Sequence, residues 1–228
     1  MASIEFKLQQ VRHRIGAACL RAGRPVQSVT LLAVSKTFGA EMVREALAAG
    51  QSAFGENYVQ EALPKIEALA GLEPRIDWHL IGPLQSNKAR DVALAFDWVH
   101  SVDRLKVAER LSAQRPPDLP PLQVCLQVNV NNERSKSGVA PEDLAALARE
   151  VAALPRLRLR GLMSIPAPVE GFEAQRGPHR RLREMFEALR AEGLELDTLS
   201  MGMSADLEAA IAEGATIVRV GTAIFGQR

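Results

Sequence analysis

Cysteine is scarce in this 228-residue chain, which holds two, Cys19 and Cys125. They lie far apart and share no metal-type spacing with the four histidines. That argues against a disulfide scaffold or a zinc site and predicts two free thiols in a reducing compartment. Charge imbalance is lacking as well: 28 basic against 27 acidic residues leave a formal net charge of +1. Such a balance gives no electrostatic footprint for nucleic acid, and no basic helix marks a membrane surface. No apolar run approaches the ~20 residues of a membrane span. The opening, MASIEFKLQQVRHR, is amphipathic and charged, unlike a signal peptide. The expectation is a soluble, cytoplasmic protein without metal, nucleic-acid or membrane partners. Linkers and low-complexity stretches are also missing, so residues 1–228 are expected to form one domain.

What is present is a rhythm. After an opening helix with Ile4, Leu8, Val11, Ile15 and Cys19 on one stripe, strand-like runs recur at Val29–Val34, Ser52–Gly55, Trp78–Gly82, Trp98–Val102, Leu122–Val130, Leu157–Met163, Asp197–Met201 and Thr216–Val220. Helical patterns lie between them. Glu41–Ala49 stops at Gly50, Leu182–Glu192 at Gly193 and Asp206–Glu213 at Gly214, each glycine suited to a left-handed cap. Strand–helix alternation implies right-handed crossovers and a parallel sheet. Eight such units in this length predict an α/β fold, a (β/α)₈ TIM barrel with an extra N-terminal helix. The rival, a doubly wound open sheet, usually has fewer strands at this length and would carry a Gly-rich dinucleotide fingerprint after its first strand, which this chain lacks.

Barrel active sites sit at the carboxyl ends of the strands. In "LLAVSKTF", Leu32, Val34 and Lys36 share one face, so Lys36 either points into the barrel mouth or lies just past it in solvent. In "ATIVRVGTAIFG", Ile217, Arg219 and Gly221 share a face, and the alternation points Arg219 inward. A guanidinium buried among aliphatics needs a partner. Either an interior carboxylate such as Glu56 or a bound ligand would serve. The last two strands run into Ser200-Met201-Gly202-Met203-Ser204 and Gly221-Thr222-Ala223, small and hydroxylated loops of the kind that hold phosphate in barrels. A phosphorylated aldehyde with an aromatic nitrogen answers all three clues: Lys36 as a Schiff base, Arg219 at the ring nitrogen, the final loops on phosphate. That molecule is pyridoxal 5′-phosphate.

The stretches "AVSKTF", "FGENYVQE", "WHLIGPLQSNK", "NVNNERSKSG", "GLMSIP" and "LSMGMSADLEAAIAEGATIVRVGTAIFG" resemble the pyridoxal phosphate homeostasis proteins of YggS/PROSC type, built like the barrel domain of fold-type III alanine racemases. The resemblance spans nearly the whole chain in order. It implies a cofactor site at Lys36, Asn57, His79, Ser200, Met201, Arg219, Gly221 and Thr222: Lys36 carries the cofactor, Ser200, Gly221 and Thr222 bind phosphate, and Arg219 meets the pyridine nitrogen. Asn57 and His79 match positions near the cofactor, although a hydrogen-bonded core histidine explains His79 equally well. Lys136 in "NNERSKSG" is either a solvated charge or a secondary acceptor for the aldehyde.

Two classes of function follow. One is a binding protein that stores, buffers or delivers the cofactor, a monomer meeting apo-enzymes transiently. The other is an amino-acid racemase or related α-carbon enzyme; a class I aldolase using Lys36 is a third reading. A racemase needs a second acid/base opposite the lysine. In the related racemases that is a tyrosine of a separate β domain, expected to be absent from this chain. The only tyrosine, Tyr58, is expected to pack at a helix start. The carrier, with no catalytic residue of its own, is therefore the expected function.

Overall fold

A computed structural model describes residues 2–131 and 137–226. Its eight strands are β1 (Thr30–Val34), β2 (Ala53–Glu56), β3 (Asp77–Leu80), β4 (Trp98–Val102), β5 (Leu122–Gln127), β6 (Leu157–Met163), β7 (Thr198–Ser200) and β8 (Ile217–Val220). All neighbours pair in parallel, and the strands close into a barrel in chain order. Closure is made by β1 against β8, with Leu32 opposite Arg219 and Ala33 opposite Val220.

Helices wrap this barrel: α1 (Ile4–Arg21), α2 (Ala40–Ala48), α3 (Val59–Ala68), α4 (Ala89–Ala95), α5 (Leu105–Gln114), α6 (Leu144–Ala152), α7 (Phe172–Ala191), α8 (Leu207–Ala212) and the short α9 (Thr222–Phe225). The predicted stripe of α1 is buried, and Ser3 caps the helix by accepting the Phe6 N–H at 3.2 Å. Through that stripe α1 packs on α2, α8 and α9, outside the barrel.

One element is longer than its pattern suggests. The apolar rhythm predicts a helix from Leu182, yet α7 begins at Phe172. Its first half contains Gly177 and Pro178, residues that usually interrupt a helix, and is rich in charge. Burial of Pro178 and His179 against the neighbouring layer overrides that local preference.

Two apolar layers result. The large one lies between strands and helices. The small one fills the barrel itself and consists of Leu32, Val34, Ala53, Ile81 and Ile217. Both cysteines are buried and unbridged. Burial pushes the Cys125 thiol up to about 12, so it is not a nucleophile.

Candidate functional site

The inward face of β1 runs Leu32, Val34, and then Lys36 just beyond the strand, where it is exposed. Lys36 borders a cavity of about 330 Å³ at the carboxyl ends of the strands, a small-molecule volume. Val34 and Ile81 rise into it from the barrel interior. Asn57 enters from the turn after β2, Ile165 from the segment after β6, Met203, Ser204 and Ala205 from the β7–α8 loop, and Arg219, Gly221 and Thr222 from β8 and its exit.

Close backbone packing shapes these walls. A Cβ on Gly82 would lie 2.1 Å from the Asn57 carbonyl oxygen, so only glycine lets the loop after β3 press on the turn that presents Asn57. Gly202 has φ +90°, and a Cβ there would come within 2.5 Å of Ala210 Cβ. The loop it starts is pinned further on: Asp206 accepts the Met203 N–H at 2.7 Å and pairs with the buried His179 at 2.9 Å, and Arg14 donates to the Ser204 carbonyl at 3.0 Å. Burial of Asp206 opposes its ionisation, but the bonds from His179 and the Met203 N–H outweigh it and hold the carboxyl below its ordinary range.

Arg219 is 4% exposed. It donates to the Ser200 carbonyl at 2.6 Å, to Ser200 Oγ at 2.8 Å and to the Ser164 carbonyl at 2.8 Å. Among the described residues all of its hydrogen bonds therefore go to neutral oxygens. Burial lowers its pKa to about 10, which still leaves it charged at neutral pH. Glu56, considered as its partner from sequence, faces the other way. Ala53 packs in the barrel interior, so alternation along β2 sends Phe54 and Glu56 into the helix layer. There Glu56 accepts from Lys65 Nζ at 2.6 Å and from Ser35 Oγ at 2.6 Å.

Beneath the cavity a polar chain crosses the barrel. Ser200 Oγ lies 2.8 Å from His100 Nδ1, and His100 Nε2 lies 2.9 Å from His79 Nδ1. Arginine only donates, so Ser200 Oγ accepts from Arg219; with the Ser200 hydroxyl donating to His100 Nδ1, the His100 Nε2–H donates to His79 Nδ1. His79 stacks on Trp98 with ring planes 8° apart. Burial drops the His79 pKa to about 3; burial and then the charges of His79 and Arg219 hold His100 well below its ordinary value, so both rings are neutral.

Of the eight residues singled out from sequence, Lys36, Asn57, Arg219, Gly221 and Thr222 meet at the cavity wall. His79, Ser200 and Met201 do not. The first two belong to the chain below, and Met201 is fully buried in the outer core. Ser204, Ile165 and Phe38 line the cavity without having been singled out, as loop residues whose approach depends on tertiary packing. His100 could have been found from strand alternation in "WVHSV". Lys136 lies outside the described residues. Tyr58 is 51% exposed at the start of α3, away from the cavity wall. No cluster of three or more metal-ligating side chains occurs among the described residues.

The family model described as alanine racemase, N-terminal domain, matches residues 6–228. Fold and match together place the chain in the class of alanine racemase-type barrels. The pyridoxal phosphate homeostasis protein of Pseudomonas aeruginosa is 60% identical over 228 residues, covering 100% of this chain and 97% of the relative. That of Escherichia coli strain K12 is 53% identical over 229 residues, covering 100% and 98%. Among solved structures, PipY of Synechococcus elongatus PCC7942 with PLP bound is 41% identical, with a TM-score of 0.84, over 98% of this chain and 100% of that one. The chain belongs to the pyridoxal phosphate homeostasis protein family.

Proposed function

We propose that this chain binds pyridoxal 5′-phosphate at the barrel mouth through Lys36 and serves its storage, buffering or delivery, without robust catalysis of its own. The observation that carries the reading is the placing of two cations, Lys36 and Arg219, on one small cavity whose wall holds no carboxylate among the described residues. An anionic ligand neutralises that arrangement, and an aldehyde gives the amine something to bond. Lys36 would hold such an aldehyde as an imine, its nitrogen replacing the carbonyl oxygen, which would leave as water with two of the ammonium protons while the third goes to solvent. PLP is both anion and aldehyde. The names of the relatives and the PLP bound to PipY support the choice.

The residues present suit that molecule. Thr222 and Ser204 offer hydroxyls, and Gly221 with the first turn of α9 offers backbone N–H groups, for phosphate. Arg219 is assigned to the ring nitrogen, where a cation disfavours protonation and leaves the ring a poor electron sink. Asn57, on the same cavity wall, would border the ring. Ser200 is assigned to holding Arg219, because its hydroxyl is already engaged by Arg219 and His100, and His79 supports that chain from below. The exposed position of Tyr58 supports a carrier over a racemase. We read the chain as a single cytoplasmic domain, monomeric, handing PLP to apo-enzymes by transient contact; no helix among the described residues is long and apolar enough to cross a membrane.

The test is direct. Apo-protein mixed with PLP should turn yellow, and borohydride reduction followed by peptide mapping should place the adduct on Lys36. Lys36→Ala should abolish it, and any adduct then found at Lys136 would reveal a second acceptor. A colourless mixture, or a wild-type adduct on another side chain, refutes the reading. Racemisation and transamination assays over a panel of amino acids separate carrier from enzyme.

A further inference from the structure

The turn that carries Lys36 is built at a conformational cost. The Phe38 N–H donates to the Ser35 carbonyl at 3.1 Å, closing a four-residue turn with Lys36 and Thr37 at its centre. Thr37 has φ 68°, the left-handed value a type II turn demands at its third position and which glycine usually supplies. A β-branched residue there is an outlier. Such strain persists only where the surroundings over-determine it.

The surroundings do so on both sides of Lys36. Ser35 is fully buried, and its hydroxyl bonds Glu56. Its carbonyl accepts the Lys65 ammonium at 2.9 Å as well as the Phe38 N–H. Lys65 in turn pairs with Glu56, and both are almost wholly buried, at 5% and 0% side-chain exposure. A buried ion pair is a weak device for stability, since apolar residues of similar volume do as well. It is an effective device for fixing the position of one carbonyl. Beyond Lys36, the Thr37 N–H donates to Glu61 Oε2 at 3.2 Å, and Glu61 is exposed on α3. The backbone is thus held at Ser35, Thr37 and Phe38, while the Lys36 amine makes no hydrogen bond or ion pair among the described residues.

We propose that Thr37 and Glu61 are positioning residues: Glu61 holds Thr37 in its left-handed conformation against the turn anchored by Lys65 and Glu56, and this fixes the direction in which the Lys36 side chain enters the cavity. The proposal rests on the reading that Lys36 is the point of attachment. A preset direction speeds bond formation, because an ångström of misplacement in a reacting group costs up to about a hundredfold in rate.

Three variants test it, each followed by the rate of chromophore formation with PLP and by thermal melting of the ligand-free protein. Thr37→Gly removes the strain but lets the turn wander. It should melt at or above the wild-type temperature yet load at least about tenfold more slowly. Glu61→Ala, at an exposed position, should leave melting unchanged and slow loading, whereas Glu61→Gln keeps an acceptor for the Thr37 N–H and should load as wild type. Wild-type loading rates in Thr37→Gly and Glu61→Ala overturn the proposal. So does a Thr37→Gly protein that melts below wild type, which would show Thr37 to be unstrained. Failure of wild type to form a Lys36 adduct sinks the reading of the site itself, and is told apart because the clamp fails alone when wild type is trapped normally at Lys36.

Discussion

Arg115 and Arg219 are each 4% exposed, and each donates three hydrogen bonds to neutral oxygens. Their surroundings give them opposite meanings. Arg115 closes the end of α4: it reaches the carbonyls of Ala93 and Phe96, which no later turn of the helix can satisfy, and the Pro120 carbonyl on the loop before β5. The negative end of the helix answers its charge. Arg219 sits at the barrel mouth beside a cavity that also holds Lys36. Burial and hydrogen-bond count are the same; what differs is that one guanidinium faces a helix end and the other a cavity. An arginine spent on a helix end belongs to the scaffold, and one that borders a cavity is available to whatever enters it.

Removing the scaffold arginine should do the most harm to stability. Arg115→Ala strands the Ala93 and Phe96 carbonyls and frees the loop at Pro120, at a cost of about 3 kcal/mol. Chemical denaturation should show that loss, while PLP affinity of the folded fraction stays at wild-type level. Weakened affinity in protein that remains folded would erase the distinction between the two arginines.

Acid comes next, and it acts on the chain beneath Arg219. His79 has a folded-state pKa of about 3 against an ordinary value of 6.5, so below pH 6.5 the unfolded chain binds a proton that the native protein does not. Stability is therefore fully present above pH 6.5 and falls as pH drops. His79 alone loses about 2 kcal/mol by pH 5, and His100, shifted the same way, adds to the loss. Urea titrations at pH 7, 6 and 5 should show this fall. A flat profile would mean that the two rings are already protonated or solvated in the native state.

Sequence reveals these differences unevenly. The inward direction of Arg219 follows from alternation in "TIVRVG", because a strand has only two faces and its neighbours are aliphatic. The same rule applied to "AFGE" would have sent Glu56 outward, since Ala53 and Gly55 are the small residues that fit beside Leu32 and Ile81 in the barrel. What hid Glu56 was its partner. Lys65 lies on a helix among charged residues, where a lysine ordinarily meets solvent, and its burial depends on packing over β2. Ser200 illustrates a finer limit. The loop it opens does reach the cavity at Ser204, four residues on, and where β7 ends decides which hydroxyl faces the cavity and which faces Arg219. Strands and glycine stops are local and hence legible; the depth of a side chain within the barrel is set by eight strands at once.

The smallest effect on stability and the sharpest on binding should come from Arg219→Met. The Ser200 carbonyl keeps the Ser164 N–H at 3.3 Å, and Ser200 Oγ keeps His100, so only the Ser164 carbonyl loses its partner. Against that loss stands the removal of a desolvated cation that hydrogen-bonds no carboxylate and meets Asp206 only through space. The two nearly cancel, leaving melting within about 1 kcal/mol of wild type. A charge-assisted hydrogen bond to a ligand contributes about 1.5–3 kcal/mol, so affinity for PLP should fall roughly tenfold to a hundredfold. Equilibrium dialysis beside a melting curve on the same preparation measures both. Were Arg219→Met to unfold the barrel as Arg115→Ala is expected to, the guanidinium would be one more structural arginine, and the cavity would have lost the charge that selects its ligand.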